Sequence, residues 1–146
     1  MNQNPEVWPP RDVHVPLAQL VLHHVNEYSD RVQSADPMGA LTIGPHLVPL
    51  VDKVLEVAMS ETAGQGANVA LRFEFTDPDR PRDGVKLGVA YDGEGPSPEA
   101  FEDETSELGR LRQLAIEAGG ELALRQDDVT GLPKIELAFP FWPNKD

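Results

Sequence analysis

The sequence predicts an α/β (α+β) two-layer sandwich, in which helices cover one face of a mixed, mostly antiparallel β-sheet. The first observation is the order of segments, whose hydrophobic periods alternate between helix and strand as α-β-α-β-β-α-β-β. The second is that each long strand segment has one apolar face and one polar or small face. Because a doubly wound sheet needs continuously apolar strands, this alternation favours a sheet with a single covered face.

The composition is that of an acidic globular chain without cysteine. It has 146 residues, enough for one domain with its own core, and 40% of them are apolar. With 25 acidic and 12 basic residues, the net charge of −13 would repel nucleic acid and an anionic membrane surface. The absence of cysteine excludes disulfides and thiolate-bound metal, and the four scattered histidines lack metal-ligand spacing. No signal peptide or bilayer-spanning apolar run is visible, so we expect a cytoplasmic protein.

The first forty residues are predicted to precede the sandwich. Residues 1–15 contain three prolines and no period, which is typical of an extended arm. Residues 16–40 are interpreted as an amphipathic helix over 16–32 and a linker, and residues 41–146 as the sandwich domain. The helix has an apolar stripe at i, i+3, i+4, i+7 spacing, formed by Leu17, Leu20, Val21, His24, Val25, Tyr28 and Val32. Because two further predicted helices suffice to cover one sheet face, we expect this stripe to mediate association with a partner or in a homodimer.

Two adjacent histidines lie on this helix. His24 belongs to the apolar stripe, and His23 lies beside it toward the polar side. Either His24 is a packed core residue and His23 is solvated, or one of the two accepts a phosphoryl group. A histidine pair on a helix does not decide between these alternatives without a recognised motif.

Hydrophobic periods place the remaining elements. Strands are predicted at 41–43, 68–76, 85–91, 121–126 and 134–141, and helices at 46–60 and 108–118. The inward strand residues are expected to include Phe73, Val89 and Leu137. They should pack against three helix residues, Leu50, Val54 and Leu114.

A glycine turn, an acidic loop and a glycine-terminated helix follow one another in the second half of the chain. The turn is Asp92-Gly93-Glu94-Gly95, and the helix ends at Gly119-Gly120 before the strand at 121–126. Three segments in this order, residues 52–59 of the upstream helix, residues 89–99 and residues 112–122, resemble the ATP-binding domain shared by sensor histidine kinases, gyrase-type ATPases, Hsp90 and MutL. The resemblance spans residues 41–141 and implies the same sandwich fold.

The sequence departs from that family where the family binds nucleotide. The resemblance places Val57 at the position of the Mg²⁺-binding asparagine and Lys53 at the position of an acidic base four residues earlier. It places Tyr91 at the adenine-reading aspartate, and Gly93 and Gly95 at the two turn glycines. A valine cannot ligate Mg²⁺, and a tyrosine has no carboxylate to accept the adenine hydrogen bond. These five positions are interpreted as a vestigial nucleotide pocket.

The loop at 96–107 stands where the family's lid has a glycine-rich run. It contains no glycine and five carboxylates, those of Glu99, Glu102, Asp103, Glu104 and Glu107. A phosphate cradle needs backbone N–H groups and positive charge. We therefore expect that the chain binds no nucleotide and has no other cofactor.

These observations together predict a non-catalytic histidine-kinase-like ATPase domain that acts as a protein-interaction module in bacterial two-component signalling. The expected partner is a response regulator or a kinase. One alternative is a histidine phosphotransferase that uses His23 or His24. The other is an active ATP-binding kinase that uses Glu56, Asp92 and Gly95.

Overall fold

The computed structural model describes residues 12–28, 30, 32–34, 42–75, 79 and 84–139. Most of the predicted N-terminal arm and the end of the last predicted strand, at 140–141, lie outside the described residues. In the part of the chain that the structure describes, no helix is long and apolar enough to cross a membrane.

The described chain forms a five-stranded sheet, a two-stranded sheet and four α-helices. The helices are α1 (Leu17–Val25), α2 (Val48–Glu61), α3 (Pro98–Glu102) and α4 (Glu107–Glu117). The strands are β1 (Val15–Pro16), β2 (Val32–Ser34), β3 (Thr42–Ile43), β4 (Asn68–Phe75), β5 (Val85–Asp92), β6 (Glu121–Gln126) and β7 (Pro133–Phe139). Single 3-10 turns follow α1 and α2, at Asn26–Tyr28 and Ala63–Gln65.

The larger sheet has the strand order β2-β4-β5-β7-β6, and the smaller one pairs β1 with β3. Only β2 and β4 run parallel among the described pairs of the larger sheet, whereas β4–β5, β5–β7 and β7–β6 are antiparallel. The predicted two-layer sandwich with a mixed, mostly antiparallel sheet is therefore confirmed.

The core lies between one face of the sheet and the helices α1, α2 and α4. The strands alternate as predicted, so that Leu71, Val89 and Leu137 are buried toward the helices. Helix α2 is central, since it packs against both α1 and α4. Helix α4 begins where the Ser106 hydroxyl accepts a hydrogen bond from the Gly109 N–H.

The first helix is shorter than its apolar period predicts. It ends at Val25, Tyr28 lies in a 3-10 turn, and Val32 is in β2, where it pairs with Val69. The helix prediction over 16–32 is wrong at this end because Ser29 and Asp30 favour turns, and a β-branched residue such as Val32 suits a strand. The helical spacing of Val32 is therefore coincidental.

The apolar stripe of α1 is buried within the chain's own core. It consists of Leu17, Leu20, Val21 and Val25, each less than 9% exposed. Since these side chains are covered within the chain, the argument for a homodimer through residues 16–32 no longer applies. Self-association through this segment remains an untested prediction.

Two of the expected inward contacts differ in the structure. Phe73 is only partly buried and forms an edge-to-face pair with Phe75. Leu114 is 50% exposed rather than packed on the sheet. Successive helical residues turn by about 100°, and the core side of α4 is centred on Leu108, Leu111 and Ala115. Leu114 is thereby placed at the flank of the stripe.

We expect Leu20→Ala to lower the free energy of unfolding by about 2–5 kcal/mol, because the truncation leaves a cavity at a fully buried position. Leu22→Ala on the same helix is the matched control, since Leu22 is 57% exposed. It should change stability by no more than about 0.5 kcal/mol. Urea unfolding of both variants measures the difference, and equal losses would show that α1 does not belong to the core.

Candidate functional site

Helix α2 carries the two positions at which the resemblance implies metal and base chemistry. Val57 is 3% exposed and belongs to the hydrophobic core. Lys53 lies on the outer face, where its ammonium nitrogen is 3.3 Å from a carboxylate oxygen of Glu56 and 3.8 Å from one of Glu107. Val57 thus presents only buried carbon atoms, and Lys53 presents an ammonium group that is paired with carboxylates. Neither side chain has an oxygen atom that could bind Mg²⁺.

Tyr91 fills the space behind the glycine turn. Its side chain points to the covered face of β5 and is part of the core, with 3% exposure. Gly95 lies directly against the tyrosine ring, because a Cβ atom at Gly95 would overlap it. The Tyr91 hydroxyl donates to the carbonyl oxygen of Pro96 at 3.5 Å, and burial raises the pKa of this hydroxyl. The glycine turn therefore packs directly against the aromatic ring of Tyr91.

The other turn residues are held equally closely. Gly93 has a φ of +141°, and a Cβ atom there would lie 2.9 Å from the Cα atom of Ala67. Asp92 is exposed and points to the opposite face of the sheet, as the strand period predicts. There it lines a cleft of about 340 Å³ with Asn68 and Arg72. The Asp92 carboxylate therefore lies on the opposite face of the sheet from Tyr91, and it cannot take the place of the adenine-binding aspartate that the resemblance implies at position 91.

The acidic segment at 96–107 is folded against the body of the protein. It contains the short helix α3, which the sequence-based interpretation as a loop missed, and Phe101 of α3 is 5% exposed in the core. The Ser106 hydroxyl donates toward the carbonyl oxygens of Ala100 and Asp103, at 2.6 Å and 2.8 Å. All five carboxylate side chains of the segment are exposed. A lid anchored by Phe101 and Ser106, with anionic groups outward, is unsuited to enclosing phosphate.

The two histidines of α1 have different environments. The Nε2 atom of His24 is 2.5 Å from Oδ1 of Asp52 on α2, and both side chains are nearly buried. His23 is exposed, and its ring meets that of His24 edge to face at a centroid distance of 4.8 Å. Both line a cavity of about 310 Å³ together with Tyr28 and Glu56. Within the described ranges, no group of three or more potential ligands could hold a metal ion.

Asp52 is the buried charged residue that the sequence analysis missed. It is 6% exposed, although it carries a charge. A signal was present, because Asp52 shares one helical face with the apolar residues Val48, Leu55 and Met59, at spacings of four, three and seven residues. A carboxylate in such a series requires a partner from another element. His24, in the apolar series of α1, is that partner.

A network of charged side chains covers part of the open face of the sheet. Asp127 is 3% exposed and lies 3.3 Å from Arg72 and 3.8 Å from Lys134. Lys134 also lies 3.1 Å from Glu136. Gly88 makes room for this arrangement, because the Lys134 side chain lies directly over it. The pKa of Asp127 would be raised by burial, but the hydrogen bonds from Thr130 and the nearby Arg72 guanidinium outweigh that effect and lower it.

The fold matches solved histidine kinase domains. The ATP-binding domain of PrrB from Mycobacterium tuberculosis superposes with a TM-score of 0.64 at 21% identity, over 88% of this chain and 96% of that domain. The catalytic domain of histidine kinase ThkA gives 0.58 at 14% identity, over 90% and 96%. The histidine kinase domain of the E. coli osmosensor EnvZ gives 0.54 at 14%, over 94% and 93%. No protein-family model matches the chain, and no curated protein matches it by sequence.

These comparisons establish the fold of histidine kinase ATP-binding domains, as the resemblance implied. On that fold, Val57 and Tyr91 belong to the core, Lys53 is ion-paired and Gly95 packs on the Tyr91 ring. The five positions that the resemblance assigns to a nucleotide pocket are thus occupied by two core side chains, a paired lysine and two glycines of a closely packed turn.

We expect Tyr91→Ala to cost about 3–5 kcal/mol of unfolding free energy, because it removes a buried aromatic ring. Tyr91→Phe keeps the ring and loses only a long hydrogen bond, so it should cost no more than about 1.5 kcal/mol. Chemical denaturation of the two variants gives the comparison. Equal stability of Tyr91→Ala and wild type would mean that the ring does not fill the pocket.

We expect Asp127→Asn to destabilise the fold by about 1.5–3 kcal/mol at neutral pH, because it removes charge-assisted hydrogen bonds. The folded-state pKa of Asp127 is lowered, so its ionisation stabilises the protein above the unfolded-state pKa, and the stabilisation is lost as the pH falls through the folded-state value. The stabilities of wild type and variant should therefore converge in acid.

Urea unfolding at several pH values tests this convergence. Asp128→Asn at the exposed neighbouring position is the control and should follow the wild type throughout. A constant offset between Asp127→Asn and wild type down to the acid limit would contradict the assigned role of the Asp127 charge.

Proposed function

We propose that this chain is a non-catalytic histidine-kinase-like domain that acts as a protein-interaction module in two-component signalling and works without nucleotide. The observation that carries the proposal is the Tyr91 ring, which lies in the core against Gly95 where the resemblance places an adenine reader. Space that is filled by a packed aromatic side chain cannot accept a base without unfolding the turn. The buried Val57 adds that no Mg²⁺ ligand is available at the second key position.

The proposed partner is a response regulator or a kinase, and the proposed location is the cytoplasm. Support comes from the crystal structure of histidine kinase ThkA in complex with the response regulator TrrA. That kinase superposes on 92% of this chain with a TM-score of 0.58, and this chain covers 43% of it. A domain of this shape thus occurs within a protein that forms such a complex, and the partner assignment rests on that analogy.

The histidine phosphotransferase alternative has less support from the site. His24 is engaged with Asp52, and α1 has nine residues and is followed, among the residues described before position 35, by a 3-10 turn and a strand. His23 is exposed and is the better placed of the two. Incubation with a phosphorylated receiver domain, comparing wild type with His23→Ala and His24→Ala, decides whether either imidazole accepts a phosphoryl group.

The active-kinase alternative requires Glu56, Asp92 and Gly95 to act together. Glu56 is exposed and close to Lys53, whereas Asp92 points to the other face of the sheet. Gly95 packs on the Tyr91 ring. The three residues therefore do not converge on one site.

We expect no measurable binding of ATP–Mg²⁺. The turn packed on Tyr91 leaves no pocket for the adenine base. The buried Val57 offers no ligand for Mg²⁺, and the acidic segment offers no site for the phosphates. Isothermal calorimetry with an active histidine kinase ATP-binding domain as positive control makes the measurement. A dissociation constant in the micromolar range for this chain would overturn the proposed function.

A further inference from the structure

A surface groove runs between the first half of α2 and the second half of α4. Its volume is about 660 Å³. The floor is formed by Leu47, Leu50 and Leu111, each no more than 9% exposed. Leu114 forms one wall and is half exposed. The α2–α4 groove is therefore an apolar depression that remains open at the surface.

The groove has the form that receives a helix. Grooves of this kind bind the apolar face of an amphipathic helix through side chains spaced at i, i+3 or i+4, and i+7. Two roughly antiparallel helices make its walls, since Lys53 of α2 contacts Glu107 at the start of α4, while Leu47 faces the end of α4 at Glu117. A third helix lying between them would cover Leu114 and extend the helical layer of the sandwich.

The charges around the groove select the kind of helix. Lys53 lines the groove, but the carboxylates of Glu56 and Glu107 offset its charge. Arg110 is directed to the carbonyl oxygens of Thr105 and Ser106. Glu117 lines the opposite end. Glu107, whose carboxylate lies 3.8 Å from the Lys53 ammonium nitrogen, belongs to an exposed acidic cluster. The members of the cluster are Glu99, Glu102, Asp103, Glu104 and Glu107.

The net negative charge of the chain argues against a second copy of the same chain as the molecule that binds in the groove. Each copy carries a net charge of −13, so two copies would repel one another at close approach. A partner with lysine and arginine beside its apolar face would be attracted instead, and the charges would accelerate its association.

We propose that the α2–α4 groove binds an amphipathic helix of a partner protein, with leucine-like residues facing Leu114 and basic residues facing Glu117 and the acidic cluster. This inference names the docking surface for the proposed interaction function and rests on it. Apolar contact at Leu114 supplies the affinity, and the charged rim selects basic helices over acidic ones.

The test uses the full chain and two fluorescein-labelled synthetic peptides. One is a helix of about four turns with a leucine face and lysine flanks, and the other is identical except that each lysine is replaced by glutamate. Fluorescence anisotropy should show saturable binding of the lysine peptide, weakened by added salt, and no binding of the glutamate peptide.

Two variants locate the binding. Leu114→Gln should weaken binding of the lysine peptide about tenfold or more. Leu22→Gln is the matched control, because Leu22 is equally apolar, is 57% exposed and lies on α1. It should bind like the wild type. Both replaced side chains are exposed, so circular dichroism should show unchanged folding.

Three outcomes would overturn the inference. These are wild-type affinity in Leu114→Gln, equal binding of both peptides, or a wild-type dimer in sedimentation that Leu114→Gln dissociates, since a second copy would then be the occupant. The nucleotide titration described above is independent of the peptides. Failure of the peptide test with no ATP–Mg²⁺ binding removes this docking surface alone, whereas ATP–Mg²⁺ binding removes the proposed function.

Discussion

The burial of α2 on several sides at once is the constraint on which the structure depends. This helix lies on the sheet and packs against both α1 and α4. Nine of its fourteen residues are buried, which leaves a narrow outer face that includes Pro49, Lys53, Glu56 and Ser60. A polar side chain at any other position needs a partner inside the protein. Asp52 meets that requirement through His24, and in doing so it ties α1 to α2.

The same constraint applies to the positions at which the resemblance implies nucleotide contacts. A pocket lined by polar groups is a cost to stability that a bound ligand normally offsets. Val57 and Tyr91 place apolar surface at two positions where the resemblance implies ligand contacts, and both side chains join the core. Gly95 then packs on the Tyr91 ring, so the turn that would border a ligand is supported by protein atoms. At these positions the side chains contribute to the stability of the core and of the turn.

Local periodicity predicted the sandwich, because the strand and helix periods of β4, β5, β7, α2 and α4 each reflect one buried face. Periodicity gave wrong predictions where a residue fitted a helical spacing but was placed by other interactions. Val32 fits a helical stripe by spacing, yet it lies in β2, where it pairs with Val69. Leu114 fits the stripe of α4 by composition, yet it lies at its flank. The pairing of His24 with Asp52 and the network around Asp127 join residues distant in sequence, which local periods do not encode.

The distribution of charge links the core to the surface groove. Several basic side chains are held by carboxylates, among them Arg72 at Asp127, Lys134 at Glu136 and Lys53 at Glu56. The ion pairs on the open face of the sheet therefore neutralise basic side chains that are mostly buried. Because acidic residues outnumber basic ones by 25 to 12, many carboxylates remain without a basic partner. The protein has a net charge of −13, and Glu117 lines the apolar groove between α2 and α4. For the proposed helical partner, long-range attraction would govern encounter, and contact of an apolar side chain with Leu114 would govern dissociation. On the proposed function, the domain would discriminate among helical partners mainly by their charge and retain them by their leucines.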